Sequence, residues 1–474
     1  MMATVIFVFY ITITLTALVS LILFGSRPSK SLSWLLVITA LPFAGVLLYV
    51  FFGINRRKIK FFKLKKIDEM REYALLHSEA APPLSIQSGS EQQKKIASLI
   101  ANSTGTFPDT GNKIIILDDG RKTMEAIFAA LERAEKFIHI QFYIIEEGEL
   151  MERLYRLFAE KIREGVEIRV IYDAIGSFFL GRKHIKRFRE IGVKVYAAMP
   201  LRFGSILFTI NYRNHRKIIV IDGKTGFTGG VNISDKYIKP SENSGIWDDM
   251  HLCLRGPVTE SLHRVFIKDY YFASNGENLW QPEYFPENKE EGHTTAQIVS
   301  GGPDSDYASI MYQYATLINH AEKYICIANP YFIPSITILE NLKMAALSGV
   351  EVKLLVPKKS DRSVVRYGMF SYFEELLSAG VMIFEHPVKF LHSKMIIIDD
   401  EISSVGSGNF DNRSFDQNFE LNTLIFDTAI AVTLREDFEQ DCREADKLVL
   451  SEFVKRPLIH KLLEGIARIF SPLL

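Results

Sequence analysis

Two long stretches without a charged residue open the chain, at residues 4–24 and 33–53. Each stretch is long enough to cross a hydrocarbon core of about 30 Å as a helix. A cleaved signal peptide fits poorly, because the first stretch has no basic leading segment and a second apolar stretch follows it. The pattern therefore predicts two transmembrane helices, joined by a short polar turn.

A basic segment follows the second apolar stretch. Seven of the residues 55–66 are Lys or Arg, whereas the turn between the stretches has only Arg27 and Lys30. The positive-inside rule then places residues 55 onward in the cytoplasm, and a hairpin places the N-terminus there too. The basic residues would also attract anionic lipid headgroups.

Short apolar runs alternate with amphipathic patterns over the rest of the chain, and this alternation occurs twice. AEKFIHIQFYII at 134–145 resembles AEKYICIANPYFI at 321–333, and GVEIRVI at 165–171 resembles GVEVKLL at 349–355. Runs of β-branched and apolar residues are typical of buried strands. Strands that alternate with helices predict an α/β fold of two similar lobes, with mixed, mostly parallel sheets flanked by helices.

The predicted organisation has five parts. These are a membrane segment with its basic flank at 1–60, a linker at 61–112, a first lobe at 113–290, a second lobe at 291–455 and a C-terminal amphipathic helix at 456–474. The apolar stripe of the last helix fits either the bilayer surface or packing on the second lobe. The apolar segment 201–208 fits either a loop that dips toward acyl chains or an ordinary buried segment.

Composition narrows the possible functions of this 474-residue chain. Its formal net charge is zero, which argues against nucleic acid as a partner. Its three cysteines are far apart and odd in number, so they predict neither a disulfide framework nor a zinc site. The sequence predicts no metal and no other cofactor.

Each predicted lobe contains the pattern His-x-Lys-x₄-Asp, and chance placement of both copies in a repeat is very improbable. The first copy consists of His215, Lys217 and Asp222, and the second of His392, Lys394 and Asp399. The His and the Lys are two residues apart, so they share one face at the start of a strand. Each Asp lies at the far end of that strand, and fits best as a partner for a turn or for cations of the other lobe.

Small, amide and acidic residues follow each copy at similar distances. They are Gly230, Asn232 and Asp249 in the first lobe, and Ser407, Asn409 and Glu420 in the second. Small residues would let the backbone approach a phosphate, and Asn or Ser would donate hydrogen bonds to it. A carboxylate that accepts from one imidazole nitrogen would fix the tautomer and leave the other nitrogen free to attack.

These residue types together suit phosphoryl chemistry. The lysines and amides can hold a phosphate whose charge rises in the transition state, and so take the electrostatic role of a metal ion. One neutral His can attack phosphorus, and the other, when protonated, can donate to the leaving alkoxide. The two roles then reverse when an acceptor alcohol enters.

At these motifs the sequence resembles the phospholipase D superfamily, whose signature is the doubled His-x-Lys-x₄-Asp. The whole chain is similar to the bacterial cardiolipin synthase family. The further similarities are RNHRK at 213–217, GGPDS at 301–305, NPYFIP at 329–334, FLHSK at 390–394 and the apolar N-terminus. The resemblance covers essentially the whole chain.

The resemblance implies a membrane enzyme whose partners are phosphatidylglycerol and other anionic phospholipids. One phosphatidylglycerol gives its phosphatidyl group to a His and releases glycerol, and a second accepts the group to form cardiolipin. Family precedent favours His215 as the nucleophile and His392 as the acid and then the base. The near-symmetry of the two motifs leaves the opposite order open.

Other functions would use the same residues. A phospholipase D hydrolase would use water as the acceptor, and a phosphatidylserine synthase would use a cytidine-diphosphate lipid as the donor. The membrane segments and neutral charge argue against a nuclease, and intact motifs argue against a non-catalytic scaffold. Among the other histidines, His139 and His251 fit core positions, whereas His184, His263 and His386 fit the surface or loops.

Overall fold

The computed structural model describes residues 2–24, 28–41, 43–53, 89–200, 211–240, 247–360, 362–388 and 390–471. The basic segment 55–66 and the apolar segment 201–208 lie outside these ranges, so the interpretations given for them remain predictions.

The first apolar stretch forms one long helix, whereas the second is divided. The N-terminal elements are α1 (Met2–Phe24), α2 (Pro28–Ala40), α3 (Ala44–Leu48) and a π-helical turn at Tyr49–Gly53. Within the described residues, only Thr4–Leu23 in α1 is long and apolar enough to cross a membrane. Phe43, just before α3, has a φ of 58°, which is outside the helical region. The transmembrane hairpin therefore remains a prediction.

Strands of both lobes join in one mixed sheet. Their order is β17-β12-β11-β10-β14-β15-β16-β9-β1-β8-β6-β5-β2-β3-β4, and β7 and β13 form a separate pair. The bounds are β1 (Asp109–Leu117), β2 (Phe137–Phe142), β3 (Glu167–Asp173), β4 (Lys194–Ala198), β5 (Ile218–Ile221), β6 (Thr225–Gly229), β7 (Trp247–Asp248), β8 (His251–Arg255), β9 (Thr294–Gly301), β10 (Tyr324–Ala328), β11 (Glu351–Pro357), β12 (Met382–His386), β13 (Phe390–Leu391), β14 (Met395–Ile398), β15 (Ile402–Gly406), β16 (Glu420–Phe426) and β17 (Asp446–Lys447).

Helices cover both faces of this sheet. The bounds are α4 (Glu91–Thr104), α5 (Gly120–Leu131), α6 (Glu149–Arg163), α7 (Gly181–Glu190), α8 (Val258–Ala273), α9 (Ser309–His320), α10 (Ile336–Leu347), α11 (Ser363–Ser378), α12 (Asn412–Asp416), α13 (Thr428–Glu444), α14 (Leu450–Phe453) and α15 (Leu458–Ile469). The predicted α/β fold with two similar lobes is confirmed. The lobe boundaries themselves remain a prediction.

Within the main sheet, parallel pairing is confined to two equivalent groups, β2-β3-β4 and β10-β11-β12. The other strands of the main sheet pair antiparallel, so the sheet is mixed but less parallel than the strand–helix alternation predicted. The reason is local. Each His-x-Lys strand, β5 or β14, returns through a tight turn into its neighbour, β6 or β15, and such short hairpins are antiparallel.

The apolar run of β5 is continuous because both faces of the strand are buried. Ile219 and Ile221 pack in the core of the first lobe. Ile218 and Val220 pack in a central core that also includes Ile397 of β14, and α8 and α13 cover this core. The lobes therefore share a hydrophobic interior, which fixes the position of one His-x-Lys motif relative to the other.

The segment predicted as a linker contains α4. A capping box of Ser90 and Gln93 starts this helix, and Gly105 ends it with a φ of 75°. Ile96 and Ile100 are fully buried in the core of the second lobe. Residues 91–104 thus belong to the packed fold, although they precede the first lobe in the sequence.

Asp222 and Asp399 fasten the hairpin turns to the sheet. The Asp222 carboxylate accepts hydrogen bonds from the backbone N–H groups of Glu135, Lys136 and Phe137, at 2.9, 2.8 and 2.8 Å. Asp399 accepts from three equivalent N–H groups at residues 322–324. A strand rises about 3.3 Å per residue, so Asp222 lies roughly 16 Å from Lys217. Among the described residues, neither carboxylate forms an ion pair with a cation of the other lobe. These contacts support a structural role for both aspartates, and their grouping with the catalytic residues stays a prediction.

We expect Asp222→Asn to reduce stability without reducing turnover. The amide keeps the shape but loses the charge that three N–H groups share, which costs about 1–3 kcal/mol of unfolding free energy. The melting temperature in detergent should fall, while kcat per folded molecule should stay within about twofold of the wild type. Asp399→Asn is the matched variant. A large loss of kcat with an unchanged melting temperature would show instead that the aspartate acts in the chemistry.

Candidate active site

Each His-x-Lys segment pairs with the other lobe before its strand begins. The backbone N–H of His215 donates to the carbonyl of Phe419 at 2.9 Å, and that of His392 donates to the carbonyl of Asp248 at 2.6 Å. Phe419 and Asp248 directly precede the two site carboxylates, Glu420 and Asp249. Each lobe therefore supplies the carboxylate that serves the other lobe's histidine.

His215 is held in a defined orientation. Its Nδ1 lies 3.0 Å from Glu420 Oε2 and 3.1 Å from the backbone carbonyl oxygen of Ser407. Both neighbours are acceptors, so Nδ1 carries the hydrogen and donates it. The lone pair of the neutral ring is then on Nε2, which is the nitrogen available for attack.

His392 has a more varied environment. Its Nδ1 lies 2.5 Å from Asp249 Oδ2, 3.3 Å from the hydroxyl of Tyr237 and 2.8 Å from Lys394 Nζ. The carboxylate favours a hydrogen on Nδ1, while the lysine sits where it can exchange a proton with the ring. The two histidines have equivalent positions but different partners.

The two lysines are buried and held against the histidine backbones. Lys217 is fully buried and donates from Nζ to the carbonyl of His215 at 2.7 Å. Lys394, 1% exposed, donates in the same way to the carbonyl of His392. Each lysine thus loops back toward its own His, as the two-residue spacing on one strand face predicts.

Burial lowers the pKa of both lysine side chains. It lowers the pKa of Lys217 to about 7, even though Glu420 opposes the shift. It lowers the pKa of Lys394 to about 8, even though Asp249 and Glu420 oppose the shift. Removing a lysine cation from water disfavours the charged form. A bound phosphate would supply the negative charge that restores it.

The pKa values of both imidazoles and of both carboxylates are lowered, but for different reasons. Burial lowers the pKa of His215, and lowers that of His392 to about 3 with the help of Lys394. Burial raises the pKa of each carboxylate, but nearby cations outweigh it: Lys394 and His392 lower the pKa of Asp249, and His215 lowers that of Glu420. At neutral pH, without substrate, the site therefore contains neutral histidines beside carboxylates.

Ser407 and Gly230 occupy equivalent positions in the two lobes but make different contacts with the site carboxylates. The Ser407 hydroxyl donates to Glu420 Oε2 at 2.6 Å. A Cβ on Gly230 would lie 1.9 Å from Asp249 Oδ1, so only glycine fits against that carboxylate. The Ser407 hydroxyl is thus directed at Glu420, and the expected hydrogen bond from Ser407 to a phosphate stays a prediction.

Asn232 and Asn409 both lie buried beside the site. Asn232 uses its amide locally, because its oxygen accepts from the N–H of Ile144 at 3.2 Å and its nitrogen donates to the Tyr237 hydroxyl at 3.2 Å. The backbone N–H of Asn409 donates to the Ser414 hydroxyl at 3.1 Å. The contacts of Asn232 thus indicate a positioning role, since they orient the tyrosine beside His392.

Aromatic rings surround both histidines, and the sequence interpretation did not assign them to the site. The Tyr143 ring centroid lies 4.7 Å from that of His215, while Trp247 lies 4.8 Å and Tyr331 6.1 Å from His392. Tyr143 and Tyr331 follow β2 and β10 in the two repeats. A tyrosine common to both repeats was therefore a signal that could have identified this pair.

Two buried ion pairs support the segment that contains His215. Arg213 lies 3.2 Å from Asp173, and Arg216 lies 2.6 Å from Asp269. Arg216 also donates to the carbonyl of Glu420 at 3.1 Å, which ties the first motif to the carboxylate strand of the second lobe. Buried, fully bonded pairs of this kind fix geometry, and removing one partner leaves a costly unpaired charge.

Comparison with known proteins identifies the family of this chain. The sequence model of the family described as "Cardiolipin synthase, PLD-like domain" matches residues 127–269 and 314–442, more than half of the chain. The chain belongs to the cardiolipin synthase family of phospholipase D-like proteins. A second model, described as "Phospholipase_D-nuclease N-terminal", matches residues 12–53. The resemblance inferred from the motifs is therefore confirmed.

Relatives in this family match over nearly their whole length. The cardiolipin synthase of Geobacillus kaustophilus (strain HTA426) is 39% identical over 453 residues, covering 94% of this chain and 89% of the relative. The cardiolipin synthase of Geobacillus thermodenitrificans (strain NG80-2) is 40% identical, with the same coverage. The N-terminal family match and the apolar α1 indicate association with a membrane.

A solved structure shares the fold. The phosphatidylserine synthase of Haemophilus influenzae Rd KW20 superposes with a TM-score of 0.62 at 15% identity, covering 81% of this chain and 100% of that one. At this identity the likeness shows the fold alone. It agrees with two similar lobes that meet at one site.

The lowered pKa values of the two lysines predict that activity falls at a lower pH than it would with ordinary lysines. A cation is needed to hold a phosphate, and the pKa values of about 7 and about 8 mean that the free site loses its cations as pH rises through this range. For an ordinary lysine the loss would occur near pH 10.4. We expect kcat/KM, which reports the free enzyme, to fall above about pH 8. A profile that stays flat to pH 10 would contradict this assignment.

Proposed function

We propose that the protein is a phosphatidyltransferase that makes cardiolipin and glycerol from two molecules of phosphatidylglycerol. The observation that supports this most is the pair of buried imidazoles, each hydrogen-bonded to a carboxylate of the opposite lobe and each with a buried lysine beside it. The site can hold one phosphodiester and act on it from two sides. Relatives named cardiolipin synthase over nearly the full length support phospholipids as the substrates.

In the first step, His215 Nε2 attacks phosphorus and forms an N–P bond. The bond from phosphorus to the oxygen of the glycerol headgroup breaks, and His392 gives its proton to that oxygen, so free glycerol leaves. Lys217 and Lys394 balance the charge that develops on the phosphoryl oxygens. We assign the attack to His215 because its Nδ1 donates to two acceptors and leaves Nε2 bare, whereas Nδ1 of His392 also contacts Lys394.

His392 needs a proton for this step, although its pKa is low in the free site. An anionic phosphodiester adds a negative charge beside the ring, and a nearby opposite charge favours the protonated imidazole. Substrate binding therefore favours the protonated form of His392, which then acts as the general acid. Asp249 stabilises the resulting imidazolium through the hydrogen bond at Nδ1.

The second step reverses the roles. A headgroup hydroxyl of a second phosphatidylglycerol gives its proton to His392, its oxygen attacks phosphorus, and the N–P bond to His215 breaks. The product is cardiolipin, and both histidines regain their starting states. We also propose that the two apolar stretches near the N-terminus both cross the cell membrane. The basic residues that follow the second stretch place the catalytic domain on the cytoplasmic side.

The test uses the purified full-length protein in vesicles, with labelled phosphatidylglycerol as the only substrate and no added metal. Cardiolipin and glycerol in equal amounts would support the proposal. Phosphatidic acid as the main product would mean that water is the acceptor. Turnover only after addition of a cytidine-diphosphate lipid would keep the site chemistry but replace the donor.

A further inference from the structure

The C-terminal helix α15 packs against the protein with its charged side. Glu464, 6% exposed, lies 2.8 Å from Arg456, and Arg468 lies 2.6 Å from Glu375 of α11. The apolar side faces outward instead. Its large exposed residues, with their exposed fractions, are Leu458 (84%), Ile459 (58%), Leu462 (59%), Ile466 (45%), Ile469 (75%) and Phe470 (50%). This orientation is the reverse of that expected for a surface helix in water.

The end of α15 approaches the active site. The Ser471 hydroxyl accepts from the Tyr372 hydroxyl at 3.1 Å, and the Ser471 carbonyl accepts from Asn412 Nδ2 at 3.2 Å. Asn412 is three residues after Asn409, which lies beside the site. The outward-facing apolar stripe thus extends to the edge of the sheet at which the catalytic residues lie.

The first lobe exposes a second apolar feature at the same edge. Phe178 and Phe179 are 70% and 79% exposed in a 3₁₀ turn that follows β3. Ser177, just before them, donates to the carbonyl of Tyr143 at 3.0 Å, and the ring of Tyr143 contacts His215. Two adjacent, nearly fully exposed phenylalanines on a rigid turn are costly in water unless a partner covers them.

Cations flank the two phenylalanines. Arg182, Lys183 and Lys186 of α7 are all exposed and begin three residues after Phe179. On α15, Lys461 and Arg468 are paired with Glu374 and Glu375 of α11, so the exposed cations are those beside the phenylalanines. Apolar side chains bordered by exposed basic residues match the interface of an anionic bilayer, where apolar groups enter the headgroup region and cations contact phosphates.

We propose that Phe178, Phe179 and the apolar stripe of α15 form a membrane-docking surface that seats the mouth of the active site on an anionic bilayer. The surface has one part on each lobe, and both parts lie at the edge of the sheet at which the catalytic residues lie. A second copy of the chain is a poorer occupant, because a symmetric contact would bring the basic residues of α7 against each other. The proposal does not depend on which lipid reaction the site performs.

The test measures contact with lipid directly. A single cysteine at residue 179 or 462, introduced as Phe179→Cys or Leu462→Cys in the full chain, is labelled with an environment-sensitive dye. The native Cys253, Cys326 and Cys442 are all buried, and the unmodified chain gives the labelling background. The protein is reconstituted in vesicles of phosphatidylglycerol and phosphatidylcholine, with or without doxyl-labelled lipid.

The matched control is Leu347→Cys. Leu347 is 72% exposed, but it ends α10 at the amino ends of β10–β12, opposite the site. We expect doxyl lipid to quench the dye at 179 and 462 at least twofold, and to leave the dye at 347 unchanged. Equal, weak quenching at all three positions would overturn the proposal. If the dye at 179 and 462 were shielded from water but not quenched by doxyl lipid, and if this shielding increased with protein density, the surface would bind a second copy of the chain instead.

A second experiment measures the activity of two double variants. One combines Phe178→Ser with Phe179→Ser, and the other combines Leu462→Ser with Ile466→Ser. These residues contact no catalytic group. We expect each pair to lower kcat/KM for lipid in vesicles about tenfold, and to leave kcat/KM for a monomeric short-chain substrate within twofold. Equal losses on both substrates would overturn the docking role, because they would indicate a damaged site or fold.

Discussion

Replacing His215 with asparagine is expected to lower kcat for phosphatidyl transfer by at least about 10⁴-fold, because it removes the nucleophile and leaves only binding and charge stabilisation. The matched change, His392→Asn, removes a general acid and base, which is expected to cost about 10²–10⁴-fold. Overall rates alone do not distinguish the two roles. A substrate that needs no acid for its leaving group does.

A phosphatidyl ester of p-nitrophenol supplies that distinction. Nitrophenolate leaves phosphorus without protonation at neutral pH, so His392→Asn should still release one equivalent of nitrophenol in a burst. It should also retain the lipid phosphate on the protein, in an acid-labile form. His215→Asn should show neither the burst nor the labelled protein. The reverse result would exchange the roles of the two histidines.

The repeat made much of this site predictable. Matching strands and matching His-x-Lys spacings placed one motif in each lobe, and the order of residues identified Asp249 and Glu420 as the carboxylates. The sequence could not show that each carboxylate serves the other lobe's His. That pairing arises because the segments before His215 and His392 bond to the opposite lobe, and contacts between residues 205 and 143 positions apart leave no local pattern.

Burial was harder to predict for isolated polar residues. His139 and His251 are buried, as predicted, but His263, His184 and His386 are also buried, although no local pattern marks them as core residues. His263 pairs with His139 at 2.8 Å between ring nitrogens in the core. A polar residue enters a core when a partner from another element satisfies it, and a single sequence does not display such partners.

The C-terminal helix illustrates a pattern that permits two placements. Its apolar stripe allowed either packing on the second lobe or contact with a bilayer. The structure shows packing on α11 through Lys461 and Arg468, which pair with Glu374 and Glu375, rather than through the stripe. Periodicity reports that a helix has two faces, whereas the ion-pair partners on α11 decide which face turns inward.

Glu420→Gln is expected to lower kcat about 10³-fold with a smaller change in KM, an effect of the size seen when a buried carboxylate beside a catalytic His is neutralised. The carboxylate is surrounded by donors: Ser407 and Ser414 donate at 2.6 and 2.9 Å, and Asn418 at 3.2 Å. A glutamine would place an NH₂ group against one of these donors. It would also remove the negative charge that stabilises the His215 imidazolium.

Asp249→Asn should have a comparable effect on turnover but act on the other half of the reaction. With the nitrophenyl substrate, Glu420→Gln should slow the burst, because its partner His215 forms the covalent bond. Asp249→Asn should leave the burst intact and slow only the later turnover, because its partner His392 activates the acceptor. Asp222→Asn, whose carboxylate accepts hydrogen bonds from three backbone N–H groups, is the control and should leave both phases unchanged. If Glu420→Gln spared the burst and Asp249→Asn removed it, the carboxylates would support the opposite order of histidines. If both variants affected both phases equally, the two imidazoles would act as one coupled unit, and the cross-lobe division of labour would be wrong.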